Sequence, residues 1–78
     1  MTTGIYDKYE LIEDITFELH CMMFYRDLEK RYKHSRIGFM MTDIRRTCEA
    51  HMKRLCAIYK KEFGQAVDIK ILREYVKA

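Results

Sequence analysis

No proline and only three glycines, Gly4, Gly38 and Gly64, interrupt this chain of 78 residues. Without a proline-rich, serine-rich or repeated stretch nothing marks a linker, so residues 1–78 are expected to form a single domain. No uninterrupted apolar run exceeds five residues, as in CMMFY at 21–25, well short of the roughly 20 that a membrane-spanning helix needs. The opening stretch MTTGIYDKYE has neither a basic region nor an apolar core for export, so no leader is expected. Three cysteines are an odd number for a disulfide framework. Reduced, buried thiols in a cytoplasm are the expectation for Cys21, Cys48 and Cys56.

Motifs for catalysis are missing as well. There is no glycine-rich phosphate loop, no H-E-x-x-H and no C-x-x-C, and the single serine, Ser35, lies in a basic stretch without a nucleophile elbow. Cys48 near His51 would form a thiolate pair only if the two were exposed, yet both fall on an expected core face. A non-catalytic protein with no cofactor and no small-molecule substrate is therefore expected.

The chain is 49% hydrophobic and 35% charged, which supplies enough apolar surface to fold and is not the composition of disorder. A domain this small removes only about 60% of its unfolded surface from water. The charges are unevenly placed. Residues 1–25 carry one basic residue, Lys8, against five acidic ones, while the rest of the chain carries 14 basic and seven acidic. An anionic partner would meet the second part and be repelled by the first.

Periodicity predicts an all-α fold: a long N-terminal helix over about 7–33, a second amphipathic helix over about 42–63 and a short C-terminal helix over about 68–77. Thr42 and Asp43 suit an N-terminus, Lys60 and Lys61 suit the negative end of the dipole, and Gly64 suits a left-handed cap. Ile44, Cys48, His51, Leu55, Ile58 and Tyr59 then share one face, flanked by Met41, Met52 and Phe63. Asp68 is placed to cap the last helix, with Ile69, Leu72 and Val76 at helical spacing. In the first segment Asp7 and Glu10 resemble a capping box. Ile5, Tyr9, Ile12, Ile15, Leu19 and Met23 form one apolar stripe; Phe17, Cys21, Phe24, Leu28 and Tyr32 form another, nearly opposite. Alternation from Ile15 to Tyr25 also fits a strand, but a strand finds no partner elsewhere in the chain.

A helix that is apolar on two sides must bury both, and the rest of so small a domain covers only part of it. A protein partner or a second copy of the chain is expected against Met22, Met23, Phe24, Tyr25, Leu28 and Tyr32, because methionine and aromatic side chains are enriched in interface cores. A second expectation concerns phosphates. Arg46, Lys53, Arg54, Lys60 and Lys61 project away from the apolar stripe of 42–63, and Arg31, Lys33 and Arg36 lie in a second basic run that also contains Tyr25 and Tyr32. Such a mixture suits an RNA or DNA backbone. A helix-turn-helix built from 42–63, GQAV and the last helix is unconvincing, since Lys70, Arg73 and Lys77 are its only long basic donors. The spacing of Cys48, His51 and Cys56, even with His20 or Cys21 added, is poor for zinc: Cys56 is rotated by about 80° from Cys48 on a helix, so no metal is expected. Membrane-surface binding is disfavoured, because the basic residues lie away from the Met/Phe cluster at 22–25. The combined reading is a small cytoplasmic adaptor or inhibitor that binds a protein through its first helix, with nucleic-acid binding through 42–63 as the alternative.

Overall fold

The structure, a computed structural model, describes residues 6–77; Gly4 and Ile5 lie outside them. The chain runs α1 (Lys8–Arg31), α2 (Arg36–Phe63) and α3 (Ile69–Lys77), with no strand among the described residues. Helix α1 starts where Asp7 Oδ1 accepts the backbone N–H groups of Tyr9 at 2.8 Å and Glu10 at 3.1 Å, satisfying two donors that the first turn leaves orphaned. It runs unbroken to Tyr32, whose N–H donates to the Leu28 carbonyl at 2.9 Å.

The start of α2 corrects the sequence reading. The helix begins at Arg36 rather than 42, because Ser35 is its N-cap: the hydroxyl accepts the Gly38 N–H at 3.1 Å and donates to the Tyr32 carbonyl at 2.6 Å. Thr42 is mid-helix, and its hydroxyl donates back to the Gly38 carbonyl at 3.1 Å, a pattern of helix interiors rather than caps. Gly38 does not break the chain. It is buried in the first turn of α2, where the Tyr32 carbonyl passes so close that a Cβ would overlap it. Together with His34 at φ 65°, these contacts fold residues 32–35 into a tight turn that makes α1 and α2 a helical hairpin. At the other end Gly64, at φ 74°, closes α2 with its N–H on the Lys60 carbonyl at 2.8 Å.

Leu11, Ile15, Leu19 and Met22 of α1 meet Met52 and Tyr59 of α2 in the core. Ile15 and Leu19 are fully buried, each contributing about 1.5–3 kcal/mol relative to an exposed position. Tyr59 also stacks at a tilt on Phe63, ring centres 5.1 Å apart. Helix α3, capped by Asp68 Oδ1 accepting the Ile71 N–H at 3.2 Å, packs against α1. Its Ile69, Leu72 and Val76 close one side of the core. Farther toward the turn, Arg45 fastens the hairpin: Nε donates to Glu29 Oε2 at 3.3 Å and Nη1 to Glu49 Oε2 at 3.4 Å. The Thr42 and Arg45 side chains beside Glu29 hold its carboxyl below the usual carboxylate range. The result is elongated, 48 × 24 × 15 Å, and none of its described helices is long and apolar enough to cross a membrane.

Candidate functional site

Because a helix turns by about 100° per residue, the core positions of α1 fix what lies behind them. Phe17, Cys21, Phe24 and Leu28 recur at helical spacing on the far side from Ile15 and Leu19. Phe17 is 64% and Phe24 54% exposed while Cys21 and Leu28 are half-buried, so the second apolar stripe stays uncovered at its two phenylalanines. Phe24 sets its ring edge-on to Tyr25, centres 5.2 Å apart. Not all of the expected contact cluster belongs to this face. Met22 is in the core and Met23 packs half-buried against it; of the rest, Phe24 and Tyr32 are exposed and Tyr25 and Leu28 half-buried.

Phe17, in the stripe but not in the expected cluster, proves to be the centre of relief. It borders a cleft of about 660 Å³ between α1 and α3, shared with Ile12, Thr16, His20, Leu72, Tyr75 and Val76. On its other flank is a smaller cleft of about 310 Å³ with Asp14, Glu18, His51, Arg54 and Leu55. The signal for Phe17 was its place one turn before Cys21 and two before Phe24. Nothing in the sequence announced the cleft, which depends on where α3 docks.

The basic residues divide into two groups. Arg46, Lys53, Arg54, Lys60 and Lys61 are all exposed on α2. Glu49 intrudes on them, accepting Lys53 Nζ at 3.5 Å while also holding Arg45. Arg31, Lys33 and Arg36 are exposed too, but at the turn of the hairpin. Along α2, Arg46 stands ten residues and Lys60 twenty-four residues from Arg36, about 15 and 36 Å at 1.5 Å per residue, so the basic residues are spread along the helix rather than gathered in one patch. Helix α3, whose packing is on α1, adds no recognition helix to the basic face.

Cys48 and His51 of α2 stand against Glu18 of α1, with Cys21 near Cys48, and Cys56 is half-buried against the core. His51 is exposed, its Nδ1 3.5 Å from Glu18 Oε1. Burial, and after it the negative Glu18 and nearby Cys21, push the Cys48 thiol up; burial alone pushes Cys56 up. A raised thiol is a poor nucleophile and a reluctant metal ligand, and among the described residues no three His, Cys, Asp or Glu side chains gather as a metal site. Alkylation of Cys48 and Cys56 at mildly alkaline pH is expected to be slower by about tenfold or more in the folded chain than in urea. Peptide-resolved mass spectrometry measures both rates, and equal rates would contradict the shielding.

No family model, curated protein or solved structure matches this chain.

Proposed function

We propose that this is a small non-catalytic protein of the cytoplasm that works as an adaptor or inhibitor, by holding another polypeptide against the outer face of α1. One observation carries the reading: two phenylalanine rings, Phe17 and Phe24, stand more than half exposed on one helical face, with the half-buried Cys21 and Leu28 between and beside them. Aromatic anchors beside a cleft are the usual centre of a protein interface. The cleft with Leu72, Tyr75 and Val76 continues that surface onto α3, and its apolar lining suits an amphipathic helix laid into a groove. A second copy of the chain offers such a helix, so self-association belongs to the same reading. The three unpaired thiols suit a reducing compartment.

A second reading, backbone binding of RNA or DNA, rests on the exposure of Arg46, Lys53, Arg54, Lys60 and Lys61 along α2. The two readings separate in an affinity capture from nuclease-treated extract, run with wild type, Phe17→Glu/Phe24→Glu and Lys53→Glu/Arg54→Glu. Protein retained by wild type and by the charge variant, and lost from the phenylalanine variant, is the expected result. Material that disappears with nuclease or with the charge variant would transfer the function to α2. Sedimentation of the isolated chain at about 10–100 μM, where weak dimers form, distinguishes a second copy from a different protein.

A further inference from the structure

We infer that the tip of the hairpin is a docking element for an anionic lipid bilayer, separate from the face of α1. Ile37, Phe39 and Met40 are 49%, 68% and 55% exposed, and they are the only large hydrophobic side chains that α2 exposes among the described residues. All three fall in its first five positions. Beyond them the outward side of α2 is charged or small, so the large apolar side chains that α2 exposes are confined to its N-terminal end, at the turn of the hairpin. An uncovered apolar patch with a polar surround marks a contact surface.

The charge around the patch identifies what it contacts. Lys30, Arg31, Lys33 and Arg36 are exposed at the same end, and no acidic residue occurs between Glu29 and Asp43. Glu29 is already held by Arg45. The acidic residues Asp7, Glu10, Glu13 and Asp14 lie at the opposite end of α1, where they stand among the cations Lys60 and Lys61 of the last turn of α2, so the tip is the end at which cations stand without carboxylates and an anionic surface attracts it most. Apolar side chains entering the acyl boundary, with lysine and arginine at headgroup level, is the arrangement of peripheral membrane anchors. Tyr32, 40% exposed at the turn, has the amphipathic ring favoured in that layer. Backbone groups there are paired in advance: the Tyr32 carbonyl by Ser35 N–H and hydroxyl, the Gly38 N–H by the Ser35 hydroxyl. That lowers the cost of leaving water. A nucleic acid has use for the cations and for Phe39, but not for Ile37 and Met40. The cluster at 22–25, away from the basic residues, is largely in the core or half-buried, whereas the exposed cluster at 37–40 lies beside the cations.

Vesicle flotation at physiological ionic strength tests this, with phosphatidylcholine vesicles containing about a third phosphatidylserine and with phosphatidylcholine alone. The wild type is expected to float with the anionic vesicles and to do so less as salt is added. Phe39→Ser/Met40→Ser should lose flotation, and Lys33→Gln/Arg36→Gln should weaken it about thirtyfold, from roughly 1 kcal/mol per cation. All four side chains are exposed, so circular dichroism and melting of both variants should match wild type. Absence of flotation in wild type, or equal flotation with neutral vesicles, would overturn the inference. So would anionic flotation that survives Phe39→Ser/Met40→Ser; RNA binding lost only with Lys33→Gln/Arg36→Gln would then identify the tip as a nucleic-acid contact.

Discussion

Leu19→Ala should lower the stability of the chain by about 2–5 kcal/mol, the range for removing a fully buried leucine. Leu19 has no exposed surface and lies between Ile15 and Met22 in a core of only six buried side chains among the described residues. So few buried groups leave little to collapse into the cavity. Against a total stability of roughly 5–15 kcal/mol for natural domains, with short chains near the lower limit, the loss is a large share of the whole. The melting temperature should fall by about 10 °C or more. Phe24→Ala, two turns or less along the same helix, should change stability by no more than about 0.5 kcal/mol, because its ring is half in water. Urea denaturation followed by circular dichroism compares the two. Similar losses at both positions would mean that the outer face of α1 is also covered within one molecule.

Gly38→Ala should destabilise the protein where the same change in most helices stabilises it. Alanine is favoured over glycine by about 1 kcal/mol in a helix interior. Here the new Cβ would overlap the Tyr32 carbonyl, a backbone atom fixed by the Ser35 N–H at 3.2 Å and its hydroxyl at 2.6 Å. The neighbour is not a flexible side-chain end that swings aside, so the turn or the first turn of α2 must shift. Overpacking of this kind costs about 1–3 kcal/mol, which leaves a net loss of up to about 2 kcal/mol once the propensity gain is subtracted, and a valine should cost more. Thermal melting of the two variants measures the effect. A Gly38→Ala protein as stable as wild type, or more so, would show that the turn closes differently.

Much of the fold was legible because local chemistry and periodicity agreed. Asp7, Gly64 and Asp68 all act as the caps their residue types suggested, and the apolar spacings placed three helices. The start of α2 was illegible for a physical reason: Thr42–Asp43 has the composition of an N-cap and Gly38 that of a break, while the true cap, Ser35, depends on the Tyr32 carbonyl arriving beside it. The phase of α1 was ambiguous too. Its apolar residues surround most of the helix, so the stripe through Tyr9, Ile12 and Met23 competed with the observed one through Leu11, Ile15, Leu19 and Met22. Both contain Ile15 and Leu19, but the rotation carries Met22 inward and leaves Tyr9 exposed. An uncovered second stripe was foreseeable from Phe17, Phe24 and Tyr32; the cleft beside Phe17 and the exposed Ile37, Phe39 and Met40 required knowing where α3 and the turn lie.

The outer face of α1 as the working surface is tested most directly by a nuclear magnetic resonance titration of the isotope-labelled chain with its captured protein partner. The aromatic resonances of Phe17 and Phe24 and the methyl resonances of Leu28 and Leu72 should shift or broaden first, while Ala50 and Ala57, exposed on α2 and within about 60° of Lys53 around the helix at 100° per residue, stay unchanged. Perturbations centred on Ala50, Ala57 and the flanking Lys53 and Arg54, with Phe17 and Phe24 unmoved, would contradict the assignment.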